Sequence, residues 1–244
     1  MRNIKLTISY DGTVYKGWQI QKNGRTVQEE VEKAIGKVFK KKHRVHGASR
    51  TDAGVHARAQ VAHFKTSSAI PVGKIPLALN AVLPEDVAVT RAEEAPPDFH
   101  SRFDSRSKHY TYCILNSTDR DPFREKYSWR VPYRLDVPLM RKEACSLTGR
   151  RDFKSFQAAD KRERTSVRKV FYIDINKRKS FLTIDIEADG FLYNMVRNIV
   201  GTLVEVGRAY FPPGSVRKIL KNRDRTTAGP TAPAKGLFLV EVKY

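Results

Sequence analysis

Residues 44–64 read RVHGASRTDAGVHARAQVAHF. Apolar side chains recur at both ends of this stretch, over residues 44–49 and again over residues 59–64, and the pattern predicts two strands. Between them lies the polar, glycine-containing segment 50–57, which the same pattern leaves as a loop. Strands around a polar loop are the unit from which the rest of this half can be assembled. Upstream, Ile4, Leu6, Ile8 and Tyr10 alternate with polar residues as in a half-buried strand, and Asp11-Gly12-Thr13 closes it. Thr26 with Glu29 has the spacing of a capping box. It opens a helix whose apolar face is Val27, Val31, Ala34, Ile35 and Val38. Downstream, a short helix over residues 75–83 and a strand over residues 87–93 complete the half.

The second half repeats the mixture. A strand over residues 108–115 precedes a helix that starts at Asp136 as its N-cap and runs through Met140 and Ala144 to Leu147. Alternating runs at 170–175 and 181–186 form a hairpin. Leu192, Met195, Val196, Ile199, Val200, Leu203 and Val206 lie on one helix, and residues 237–242 on a last strand. Glu94-Ala95-Pro96-Pro97-Asp98 is the best break between the halves. The expectation is an α+β protein of two related α+β subdomains, residues 1–98 and 99–244, with mostly antiparallel sheets flanked by helices and a cleft between them.

The 244 residues carry 46 Lys and Arg against 26 Asp and Glu, a formal charge of +20. A surplus of this size calls for a polyanionic partner or is carried as self-repulsion. The basic residues are spread through folded-looking sequence, as between residues 141 and 179, rather than gathered in a tail or an amphipathic helix. Nucleic acid is therefore the leading partner and a membrane is not expected. No apolar run approaches the roughly 20 residues a membrane span requires. Cys113 and Cys145, both in apolar-periodic segments, read as buried thiols in a reducing, cytoplasmic compartment.

Most cofactor chemistry finds no foothold. Gly12 to Gly17 has the glycine spacing of a P-loop, but Trp18-Gln19 stands where Lys and a hydroxyl residue are required. His43 and His46 are the one close histidine pair, with no cysteine pair or carboxylate to complete a metal site. The zinc-deaminase and nucleophile-elbow signatures are absent. Neither a metal nor a nucleotide cofactor is expected. The densest polar constellation is Ser49-Arg50-Thr51-Asp52-Ala53-Gly54-Val55-His56. On composition alone this is a turn, since Asp and Gly are ordinary turn residues. The turn is the reading composition favours, but an Asp presented between two strands, with Arg50 two residues earlier, also suits a carboxylate nucleophile kept ionised by a cation.

This segment resembles the catalytic motif of the tRNA pseudouridine synthase A family. The likeness continues through Tyr10-Asp11-Gly12-Thr13, Gly17-Trp18-Gln19, Arg25-Thr26-Val27-Gln28, Phe99-His100 with Arg102, Lys108-His109-Tyr110, Gly149-Arg150-Arg151-Asp152-Phe153, Asn194-Met195-Val196-Arg197-Asn198 and Ala232-Pro233-Ala234-Lys235-Gly236-Leu237. These matches follow the family's order over nearly the whole chain. The resemblance implies an isomerase that converts uridine to pseudouridine in the anticodon stem-loop of tRNA (positions 38–40 in the family), without cofactor, as a homodimer. It implies Asp52 as nucleophile, Arg197 as the arginine paired with it, and Tyr110 as the active-site tyrosine that meets the base. Arg50 would fill the space left by the extruded uridine or hold a phosphate. Phe153, Phe156 and Leu192 are expected in the core, and Lys161, Arg162, Arg164, Arg168 and Lys169 on an RNA-facing surface. The rival from another class is a non-catalytic basic RNA-binding protein, and a uridine-specific enzyme acting on another RNA shares the chemistry.

Overall fold

The computed structural model describes residues 1–159 and 165–244. Lys161, Arg162 and Arg164 lie outside the described residues. The chain divides into two compact units. One comprises Met1–Arg106 and Phe238–Tyr244, the other Ser107–Leu237. The sequence placed the break at residues 98/99 and gave the final strand to the second half. That strand instead returns to the first unit, because its backbone pairs there with the strand that starts at His56.

In the first unit, β1 (Arg2–Tyr10) runs between β3 (His56–Thr66) and β4 (Val87–Ala95), antiparallel to both. β2 (His46–Gly47) adds antiparallel to β3, and β10 (Leu237–Lys243) joins it parallel through Phe238 and Leu239. Ile4, Leu6 and Ile8 are fully buried, as alternation requires. α1 (Val27–Phe39) buries Val27, Val31, Ala34 and Ile35. The expected capping box does not form. Thr26 is buried and its side chain makes no cap bond. The N–H groups of Val27 and Gln28 are taken by the carbonyls of Gly17 and Trp18, at 3.2 and 3.0 Å. Backbone from the preceding loop thus does what a capping side chain usually does, and Glu29 turns to Lys33 at 2.9 Å.

The strand expected over residues 44–49 shrinks to the two residues of β2. Gln60, fully buried on β3, explains why. Its amide accepts from the Ser49 N–H at 3.1 Å and donates to the Ser49 carbonyl at 2.7 Å. A side chain thereby replaces the ladder partner, and the chain leaves the sheet at Ser49. The expected helix over residues 75–83 is a 3₁₀ turn at Val72–Lys74 leading into α2 (Ile75–Asn80).

In the second unit β5 (Ser107–Leu115), β9 (Phe181–Ala188), β8 (Val167–Arg178) and β7 (Gly149–Asp152) form an antiparallel sheet in that order. β6 (Trp129–Arg130) pairs parallel to β5. α3 (Val137–Ala144) opens at Asp136, whose carboxylate accepts from the Leu139 N–H at 2.9 Å, as the sequence predicted. α4 (Met195–Gly207) is buried over nearly its whole length. The short α5 (Ser215–Asn222) is capped from outside itself. Buried Glu143 accepts from the Gly214 and Val216 N–H groups at 2.7 and 3.1 Å. Phe153, Phe156 and Leu192 are core residues as expected. Both cysteines are free thiols, and Cys113 is buried. Cys145 is exposed, contrary to the expectation, because it follows α3 and faces outward there. The fold is α+β, with mixed sheets flanked by helices. Among the described residues, no helix is long and apolar enough to cross a membrane.

Candidate active site

The polar loop of the first unit is fastened on both sides of Asp52. It leaves β2 under the grip of Gln60 on Ser49. One residue before Asp52, the buried Thr51 hydroxyl meets the Tyr10 hydroxyl at 2.7 Å, and the Thr51 carbonyl accepts from the Trp18 N–H at 3.0 Å. After Asp52, Gly54 takes a left-handed φ of 76° and donates to the Tyr15 carbonyl at 3.2 Å. The Val55 N–H closes a turn onto the Asp52 carbonyl at 3.1 Å. His56 then enters β3 fully buried. Its Nδ1 accepts from the Gly12 N–H at 3.0 Å, and its ring stacks on Phe238 with centroids 4.7 Å apart.

This fastening needs two glycines in the opening segment. A Cβ on Gly12 would stand 2.0 Å from the Val55 carbonyl oxygen. One on Gly17, where φ is 94°, would stand 2.5 Å from the Thr51 carbonyl oxygen. The segment 10–18 is the bed in which 51–56 lies, and only glycine permits so close a backbone approach. Gly12 to Gly17, whose spacing resembled a P-loop, has this role instead. Tyr15 is itself fixed. Its hydroxyl donates to Asp86 and Arg25 lies over its ring at 4.8 Å. Burial first, and the neighbouring Asp86 second, push the Tyr15 phenol well above its ordinary range, so it stays a neutral donor. Asp52 is half-buried and Arg50 exposed.

The second unit carries the other two expected residues. Tyr110 is buried on β5, its ring edge-on to Phe191 at 5.1 Å. Arg197 sits in the first turn of α4, half-buried. Its Nε donates to the Ala232 carbonyl at 2.7 Å and its Nη1 to Asn194 Oδ1 at 3.0 Å. The next residue, Asn198, is fully buried. It donates to the Phe156 carbonyl at 2.8 Å and accepts from Thr231 and Arg225 at 2.7 and 3.0 Å. The two sequence motifs at 194–198 and 232–237 are thus halves of one assembly. Tyr112 donates to the Pro233 carbonyl at 2.7 Å, and burial pushes its phenol far up despite Arg197 nearby. In the sequence Asn198 stands only as the end of the motif 194–198. Its isolation as a polar residue on a buried helical face was the signal that it organises the segment around it.

Of the expected basic cluster, Arg168 and Lys169 are among the described residues. Arg168 donates to the carbonyls of Thr165 and Val167, and Lys169 lies over the exposed Phe171 ring. His43 and His46 do not converge. His43 packs edge-on to Phe39 and Phe64, whereas His46 stacks on His63. Among the described residues, no group of three His, Cys, Asp or Glu side chains could hold a metal.

The first unit fixes an Asp-bearing loop, the second an Arg-bearing helix, and the chain is strongly basic. The family model described as tRNA pseudouridine synthase matches residues 6–104 and 144–244. The chain belongs to this family. It is an isomerase that makes pseudouridine in tRNA. It is 47% identical over 244 residues to "tRNA pseudouridine synthase A" of Thermoanaerobacter sp. (strain X514), covering 100% of both chains. It is 46% identical to the protein of that description in Clostridium acetobutylicum, again over 100% of both. With that of Geobacter sp. (strain M21) it shares 45%, over 100% of this chain and 99% of the relative. Tyr110 lies between the two stretches matched by the family model, within the span the relatives cover.

Proposed function

We propose that Asp52 is the nucleophile of the isomerisation, that Arg197 keeps its carboxylate ionised and oriented, and that Tyr110 meets the uracil ring. Arg50, exposed beside the nucleophile, takes the space of the extruded nucleotide or a phosphate. The target is a uridine of the anticodon stem-loop. Such a base must leave its stack before it can react, at a cost of a few kcal/mol. The N1–C1′ bond then breaks, the uracil turns and a C5–C1′ bond forms. The C5 proton leaves and N1 gains one, so the reaction is redox-neutral. The Tyr110 hydroxyl is the candidate to assist removal of the C5 proton. The enzyme acts as a cytoplasmic homodimer in this reading, and its two free thiols suit a reducing compartment.

The observation that carries the assignment is the way the loop is built. Thr51 and Gly54 are fixed by hydrogen bonds on either side of a half-buried carboxylate. A non-catalytic RNA binder has no use for a rigidly presented anion, which repels phosphate. The test is tritium release from tRNA labelled at uridine C5, with wild type and Asp52→Ala compared beside a binding assay. Release by wild type alone, with binding equal or tighter in the variant, is expected. Release by Asp52→Ala at the wild-type rate would remove Asp52 as nucleophile.

A further inference from the structure

We propose that Thr51 is a positioning residue for the reaction, and that its buried hydrogen bond to Tyr10 sets the aim of Asp52. The inference rests on Asp52 being the nucleophile.

Tyr10 is the last residue of β1, and the pairing with β3 slips just before it. Ile8 faces Gln60, but Tyr10 faces Ala57. A slip of this kind bends a strand and re-aims its side chains. Here the Tyr10 ring comes to lie 6.1 Å from Trp18, and its hydroxyl reaches Thr51. Tyr10 and Thr51 are 5% and 6% exposed, so the bond is shielded from water. In such surroundings a polar pair is directional and costly to leave half-made. Thr51 is also held through its carbonyl by Trp18, whose ring packs where a Cβ on Gly47 would collide at 2.4 Å. Side chain and main chain of Thr51 are therefore fixed by different residues. The peptide that leads directly into Asp52 has little freedom left. A bond that served stability alone would not need to sit beside the nucleophile. A misplacement of about 1 Å at a reacting group can cost on the order of 100-fold in rate.

The experiment is single-turnover pseudouridine formation at saturating enzyme, well below each variant's melting temperature, with tRNA affinity measured separately. Thr51→Val keeps the branched shape and removes the hydroxyl. Tyr10→Phe keeps the ring and removes its partner. Each should slow the chemical step about 10- to 100-fold while tRNA affinity stays within about twofold. The double variant should be no slower than the worse single one, because both remove the same bond. Thr51→Ser, which restores a hydroxyl, should recover most of the rate. Unchanged rates in both single variants, parallel losses of rate and affinity, or additive losses in the double variant would overturn the proposal. Asp52→Asn run in parallel separates the two readings. If it is inactive while Thr51→Val is fully active, only the positioning role fails. If it is active, the nucleophile itself is wrong.

Discussion

Each unit presses an irregular segment against a neighbour at a glycine, against another loop in the first and against a helix in the second. In the first, a Cβ on Gly12 would stand 2.0 Å from the Val55 carbonyl oxygen. In the second, a Cβ on Gly201 of α4 would stand 1.7 Å from that of Pro230. The arrangements differ in where the residue proposed to act sits. Asp52 belongs to the segment that is held, and its position is inherited from Gly12, Gly17, Tyr10 and Gln60. Arg197 belongs to the helix that does the holding. Its Nε fastens Ala232, and its own place is set by the buried length of α4. Disturbing the packed segment should therefore move Asp52 more than Arg197.

The largest effect tests this directly. Gly12→Ala and Gly201→Ala each force a methyl group into a carbonyl that cannot yield without moving backbone, at a cost of about 3 kcal/mol or more. The expected outcomes diverge once stability is factored out. The rate per folded molecule should fall at least tenfold for Gly12→Ala, because the Asp52 loop is displaced. It should fall less for Gly201→Ala, whose displaced segment carries Ala232, the carbonyl partner of Arg197, but not Arg197 itself. Active-site titration with denaturation curves would check it. Equal losses in both would break the distinction between held and holding residues.

A smaller effect sharpens the comparison from the other side. Arg197→Met leaves the helix intact and removes a group proposed to act on the nucleophile. The chemical step should fall by about 10²–10³-fold, with tRNA affinity within a few-fold. Rapid-quench kinetics beside filter binding would show it. Loss of affinity in proportion to rate would make Arg197 a phosphate contact instead.

How much of this could be read from the sequence follows from the kind of contact involved. β1, β5, α3, α4 and the β8–β9 hairpin were legible because burial imposes a period on their side chains. Asp136 was legible as a cap because its bond to Leu139 is local. What escaped is bonded over long separations. Glu143 caps a helix some 70 residues away, so α5 has no local start signal and was not anticipated. Gln60 ends β2 from the neighbouring strand, and Gly17 and Trp18 cap α1, so Thr26 only mimicked a capping residue. At the site, Asp52, Tyr110, Arg197 and Arg50 came from the family resemblance and not from periodicity. The interlock of 10–18 with 51–56 was invisible, because a glycine's close approach leaves no pattern in sequence.

The smallest effect concerns acid, and the two units should answer it at different pH. In the first, His63 is 4% exposed among His46 and His100, with ring centroids at 5.1 and 4.7 Å. Burial first, then the neighbouring His100, His46 and Lys65, lower its pKa from 6.5 to about 4. His46 is lowered too, by burial and then by His100 and Arg44. A histidine depressed in the fold binds its proton more readily when unfolded. Its contribution is thus intact above about pH 6.5 and is lost as pH falls towards 4, amounting to about 2–3 kcal/mol. In the second unit burial raises Asp185, but hydrogen bonds from His109, Thr111 and Thr183 outweigh it and hold the carboxyl below its ordinary 3.8. That contribution is present above the ordinary value and lost only as pH falls through the lowered one. Between pH 6.5 and 4, therefore, the first unit should weaken and the second should not. Hydrogen exchange corrected for intrinsic rates should show protection falling over residues 44–66 before residues 107–115. In His63→Asn, which keeps a polar group facing Ser101, the difference should shrink. Simultaneous loss in both units, unaltered by that substitution, would mean that the histidine cluster does not set the acid response.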